Sequence, residues 1–174
     1  MIHALLAVLA LHILPSSPAQ PVSDNRSEAE LTSSLEYTDP SLALEWTVDW
    51  EEARLLSNDQ QLPIILVFSG SDWCAPCIRL EKAVFQQDDF ASWAESNTIM
   101  VRADFPRKQK NLSKEIRLQN DRLAAQFNPK GKFPLVIVTS PEGEMLGELQ
   151  EPANTPQEFI DQISSLLNKQ TGSQ

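Results

Sequence analysis

Along this chain the apolar positions switch between a period near two, continuous runs and a period near 3.6, and the switches mark its elements. Leu42-Ala43-Leu44-Glu45-Trp46 has the short apolar pattern of a first strand. Asp49 to Asn58 sets Trp50, Ala53, Leu55 and Leu56 at helical spacing behind Asp49, whose carboxylate can accept from open first-turn amides and so cap a helix. Pro63-Ile64-Ile65-Leu66-Val67-Phe68 is a continuous branched apolar run, which predicts a central strand buried on both faces. A turn at Ser69-Gly70-Ser71-Asp72 follows, and then a helix from Cys74 carries Ile78, Leu80, Val84 and Phe85 near helical spacing, continued by Asp88 to Glu95. Thr98 to Asp104 reads as a second central strand closed by Phe105-Pro106. Leu112, Ile116, Leu118, Leu123, Ala124 and Phe127 mark another helix, stopped at Asn128-Pro129-Lys130-Gly131. Leu135 to Thr139 is the next strand, Pro141-Glu142-Gly143 a hairpin turn, and Glu144 to Leu149 its partner. Thr155, Pro156 and Glu158 have the order of a helix cap, a first-turn proline and a capping-box acid, ahead of Phe159, Ile163, Leu166 and Leu167. The order β-α-β-α-β-α-β-β-α implies an α/β domain, a central mixed β-sheet flanked by helices on both faces.

Before that domain the pattern changes twice. Met1 to Leu14 is apolar apart from His3 and His12 and is followed by Pro15-Ser16-Ser17-Pro18-Ala19. An apolar stretch of this length, too short to span a bilayer and followed by small residues, reads as a signal peptide over 1–19 cleaved after Ala19, although no Lys or Arg precedes it. A buried N-terminal helix is the competing reading, which the proline cluster disfavours. From Gln20 to about Pro40 the residues are mostly Ser, Asp, Glu, Pro and Thr, which bury too little surface to offset ordering entropy, so 20–40 is expected to be a flexible linker and 41–170 the domain. A chain of 174 residues so divided holds one hydrophobic core. The leader implies a periplasmic or otherwise exported protein.

Charge and residue inventory narrow the chemistry. A net charge of −10 and a pI near 4.6 argue against nucleic-acid binding, which needs a basic face for phosphate. Both histidines lie in the leader, so the exported chain has none; catalysis by a Cys-His or Ser-His-Asp set and metal ligation by histidine are excluded. With only Cys74 and Cys77, a closed zinc site of four thiolates is excluded too, and no cofactor box is seen. What remains is thiol chemistry on two cysteines three residues apart.

The run Phe68-Ser69-Gly70-Ser71-Asp72-Trp73-Cys74-Ala75-Pro76-Cys77, with Phe133-Pro134 ahead of an apolar strand and hairpin, resembles the thioredoxin superfamily, and more narrowly its exported bacterial members. The resemblance covers roughly Trp46 to Lys169. It implies the thioredoxin fold, a redox-active Cys74-Cys77 disulfide in place of any cofactor or metal, Cys74 as nucleophile, Cys77 as the resolving thiol and a cis Pro134 facing them. Elementary physics supports the first role, because a cysteine at a helix N-terminus lies beside open amides and the positive end of the dipole, both of which favour a thiolate. Cys77, one turn on, can reach Cys74 while lying deeper. Trp73, Ala75, Pro76, Phe133 and Pro134 would form the substrate-binding surface, with the Phe133 backbone pairing an extended substrate segment. A static structural bridge is the plain alternative, but so small a loop adds little chain-entropy stabilisation.

Two departures from the family pattern stand out. Phe133 replaces the threonine common before the proline, and the strand before the motif reads Val67-Phe68 where thioredoxin has a buried aspartate that assists proton transfer. Asp72 and Glu81 are the nearby acids, read first as a turn residue and a helix-surface ion-pair partner, and only second as proton relays. Ala75-Pro76 carries no cation, which predicts a reducing pair nearer the thioredoxin potential of about −270 mV than the periplasmic oxidant's −120 mV or so. Trp46, Trp50 and Trp93 are read as packing aromatics.

From Arg102 to Lys132 nine basic residues stand against Asp104, Glu115 and Asp121, in a chain that is otherwise acidic. A solvated helix and loop with i,i+4 pairs is the preferred reading; a docking face for an acidic partner, with Lys108 and Lys110 as its test, is the sharper one. The function expected is an exported thiol-disulfide oxidoreductase reducing protein or peptide disulfides, resupplied by a membrane-embedded thiol electron donor. The alternative is a non-catalytic thioredoxin-fold peptide-binding module or chaperone.

Overall fold

The computed structural model describes residues 44–108, 110, 112–149 and 153–171. The leader expected over 1–19, the linker expected over 20–40, and Leu42 and Ala43 lie outside them. In chain order the elements are α1 (Trp50–Gln60), β1 (Ile64–Ser69), α2 (Ala75–Leu80) running into a π-helical turn (Glu81–Phe85), α3 (Asp88–Asn97), β2 (Ile99–Asp104), α4 (Lys114–Phe127), β3 (Leu135–Thr139), β4 (Met145–Glu148) and α5 (Pro156–Thr171). The four strands form one mixed sheet in the order β2-β1-β3-β4, with β1 parallel to β2 and antiparallel to β3.

β1 organises both sides of the molecule, because its successive side chains point to opposite faces. Ile65 and Val67 join Leu80, Val84, Phe85, Phe90, Phe159 and Ile163 on the face covered by α2, α3 and α5. Ile64, Leu66 and Phe68 join Ala53, Leu123 and Phe127 on the face covered by α1 and α4. Helices therefore flank a mixed sheet on both faces, as the apolar run at Ile64 and the alternation of elements predict. The caps follow the sequence as well: Asp49 accepts from the Glu51 and Glu52 amides, and Thr155 Oγ1 from Glu158 N–H. The three tryptophans read as packing aromatics behave so, Trp46 against Phe85, Trp50 against Phe127 and Trp93 against Phe90.

Four expectations are corrected. Of the first strand expected over residues 42–46, the described residues 44–46 form no strand; next to them Thr47 makes one parallel bridge to Val101, its amide and carbonyl bonding to β2 before the Asp49 cap starts α1. For the same reason β2 is an edge strand of the four-stranded sheet rather than a central one. Leu55 and Leu118 point to solvent, at 74% and 47% exposure, while the polar Ser57 and Asn120 take buried places. Asn120 does so because its amide donates to the Asp104 carbonyl and satisfies the end of β2. The expected partner strand is shorter, Met145–Glu148, with a register shift at Val138 and Thr139.

Candidate active site

Where the parallel strands β1 and β2 end together, Ser69 pairs with Asp104 and the chain turns into α2. The C-terminal ends of parallel strands are where α/β sheets leave a crevice and where a following helix points its open amides. Gly70 makes this turn possible. Its carbonyl accepts from the Trp73 and Cys74 amides, and the indole of Trp73 folds over it so closely that a β-carbon would sit 2.3–2.7 Å from three ring atoms. The indole is held there by its own N–H, which donates to the Phe105 carbonyl at 2.7 Å, and by edge contact with Phe133 at 5.4 Å between ring centres. Phe133 in turn packs on Phe105, which lies over Phe68 of β1.

Cys74 is the N-cap of α2 and is bonded to Cys77 through a disulfide, with the two α-carbons 5.2 Å apart. Its extended backbone brings Sγ back over the first turn, where the Cys77 amide donates to it at 3.2 Å. Ala75 and Pro76 fill the first two helical positions; Pro76 has no amide hydrogen to offer, and the Cys77 N–H is the first-turn donor bonded to the sulfur. The expectation that Cys77 lies deeper is not met: Cys74 is 4% exposed and Cys77 5%. Folding the cap side chain inward buries the first sulfur as fully as the second.

Around the buried pair the surface is apolar. Trp73 and Ile78 are each 38% exposed, and Ala75 and Pro76 are exposed between them. Ile78, which its spacing assigned to the buried side of the helix, lies three residues after Ala75 and so shares its outward face. The peptide bond Phe133–Pro134 is cis. Leu135 pairs with Phe68, so Pro134 stands one residue beyond the ladder, level with the Ser69 end of β1 from which the cysteine turn departs. The structure thus gathers Trp73, Ala75, Pro76, Phe133 and Pro134 at one end of the sheet. Gly70, Ile78 and Phe105, which the sequence did not single out, belong to the same assembly.

The nearby acids are otherwise engaged. Asp72 accepts from the backbone amides of Arg107 at 2.9 Å and Lys108 at 3.4 Å, and the Arg107 bond holds its carboxyl below the usual aspartate value, which makes it a weak base. Asp104 accepts from the Ser71 amide and hydroxyl. Glu81 lies 2.6 Å from Arg102, whose guanidinium also stacks 3.9 Å above the Trp46 ring. Arg102 is paired in register with Val67 of β1, so the charged group beside this part of the strand is a cation already neutralised by Glu81. Among the described residues no three His, Cys, Asp or Glu side chains converge as a metal site would require.

This geometry has counterparts. A family model described as thioredoxin-like matches residues 45–141. The disulfide bond reductase DsbH of Chlamydia pneumoniae is 32% identical over 135 residues, covering 76% of this chain and 80% of that protein. A solved DsbH oxidoreductase superposes with a TM-score of 0.66 at 32% identity, over 77% of this chain and 92% of that one. A thioredoxin from Thermus thermophilus shares the fold at a TM-score of 0.54 and 14% identity, over 72% of this chain and 88% of that one.

Proposed function

The chain belongs to the thioredoxin-like family and is a thiol-disulfide oxidoreductase whose redox group is a cysteine pair; from that footing we propose that it is exported and works in the reducing direction on protein or peptide disulfides. The observation that carries the assignment of roles is the Cys77 amide directed at Cys74 Sγ. A donor of this kind stabilises negative charge on Cys74 once the disulfide opens, so Cys74 is the attacking thiolate. Attack on a substrate disulfide forms the Cys74–substrate bond and expels one substrate thiolate. Cys77, deprotonated by water, then attacks Cys74 Sγ, re-forms the internal disulfide and expels the second substrate thiolate. The substrate gains two electrons and the protein loses two, which a membrane-embedded dithiol carrier resupplies. Trp73, Ala75, Pro76 and Ile78 provide the apolar contact for the substrate chain, and Phe133 and Pro134 border it.

Support for the reducing direction comes from Ala75-Pro76, which offers no cation to stabilise the dithiol form further, and from the relative named a disulfide bond reductase. Export is supported by the apolar run Met1–Leu14. The test is Cys77→Ser in the exported compartment: it should accumulate mixed disulfides through Cys74 that reductant releases. Absence of any such adduct, together with insulin reduction no faster than that of a Cys74→Ala/Cys77→Ala control, would overturn the proposal in favour of a peptide-binding module.

A further inference from the structure

The basic stretch of the sequence acquires a location in the fold. Between β2 and α4, residues 105–113 hold Arg107, Lys108 and Lys110 and no acid, and Lys114 opens α4. This loop is fastened to the cysteine turn at three points: Asp72 accepts from the Arg107 and Lys108 amides, Trp73 Nε1 donates to the Phe105 carbonyl, and Ser71 donates to Asp104 at the loop's start. Asp72 and Trp73 are the two residues that precede Cys74, so the loop is anchored on the turn that carries the disulfide. The side chains of Arg107, Lys108 and Lys110 are exposed, and no carboxylate among the described residues lies within ion-pair distance of them. The acids facing the loop are Asp72 and Asp104, both already bonded, and Glu115 at the α4 terminus.

Building on the oxidoreductase reading, we propose that this loop is a recognition site for acidic protein segments, so that disulfides flanked by Asp or Glu are the preferred substrates. An i,i+4 solvated face would scatter its cations; here Arg107 and Lys108 stand on backbone bonded to Asp72 of the cysteine turn, with Lys110 two residues on. At about 0.15 M salt the Debye length is near 8 Å, so a segment docked against the loop feels these charges. Charge complementarity of this kind acts mainly on association rate and partner choice.

The experiment uses the full exported chain, reduced and freed of reductant, mixed with three synthetic peptide disulfides that differ only in carrying Glu, Gln or Lys on either side of the cystine. Oxidation of the protein is followed by tryptophan fluorescence in single turnover. The Glu peptide should react on the order of tenfold faster than the Lys peptide, the ratio should collapse toward one in 1 M salt, and Arg107→Glu/Lys108→Glu/Lys110→Glu should invert the order. Because each of these side chains is exposed and none is within ion-pair distance of a described carboxylate, the variant should fold; the salt series on the unmodified protein tests the idea independently of it. Equal rates with all three peptides, while the unmodified protein still consumes neutral 2-hydroxyethyl disulfide, would overturn the recognition site alone. Failure to react with 2-hydroxyethyl disulfide as well would overturn the reductase reading and the site with it.

Discussion

Replacing Gly70 by Ala tests how the cysteine turn is built. A β-carbon there would lie 2.3 Å from Trp73 Cε2 and 2.5 Å from Nε1, distances at which the indole must leave its place. Two interactions go with it. The Nε1–H bond to the Phe105 carbonyl contributes about 0.5–1.5 kcal/mol, and the edge contact with Phe133 a similar amount. Against this, alanine stabilises by about 0.4–1 kcal/mol through the unfolded chain, since the position does not use the left-handed region. The net expectation is a loss of about 1–2 kcal/mol, or a urea midpoint lowered by roughly 0.5–1 M at a typical slope. Far-UV circular dichroism of the oxidised protein should follow the transition, so that the changed tryptophan signal does not confound it. In a Trp73→Ala background the same Gly70→Ala change should become neutral or stabilising, because nothing is left to displace. An equal loss in both backgrounds would refute the reasoning.

The remaining expectations concern the shell around the site. Phe159→Ala removes a fully buried ring in edge contact with Phe85 and Phe90 and should cost about 3–5 kcal/mol, read by denaturant unfolding; a loss under about 1 kcal/mol would mean the α5 face is not core. Glu81→Gln should lower stability by about 1 kcal/mol by leaving Arg102 without its carboxylate, yet keep single-turnover exchange with 2-hydroxyethyl disulfide within about twofold; a tenfold slower rate would make Glu81 a proton relay after all. Asp72→Ala should accelerate hydrogen exchange at the Arg107 and Lys108 amides. Because the folded carboxyl titrates below its unfolded value of about 3.9, the stabilisation by Asp72 is present above that pH and disappears as the pH falls through the folded value. The stability gap between the unmodified protein and Asp72→Ala should therefore close in acid, and a gap that stays constant down to pH 2 would contradict this.

What could be read from sequence was what local pattern dictates. The run from Ile64 to Phe68 is branched, short and without a polar residue, as a strand covered on both faces requires, and the Cys-Ala-Pro-Cys motif marks the start of α2. Non-local pairing was harder. Thr98 to Asp104 has the composition of an interior strand, but its place at the sheet edge depends on how little of the chain around Thr47 pairs with it. Leu55 and Ile78 satisfied helical spacing and still face outward, because α1 turns Ala53 and Ser57 inward and α2 turns Cys77 and Leu80 inward. The pinning of the basic loop by Asp72 spans 35 residues in sequence, and no local signal announces it.

The most direct measurement is the pH dependence of Cys74 alkylation by iodoacetamide in the reduced protein, with Cys77→Ser isolating the single thiol. An amide trained on the sulfur at the mouth of α2 should bring its midpoint below that of an unassisted thiol. A midpoint at or above about 8.5, the value of an unassisted thiol, would contradict the account.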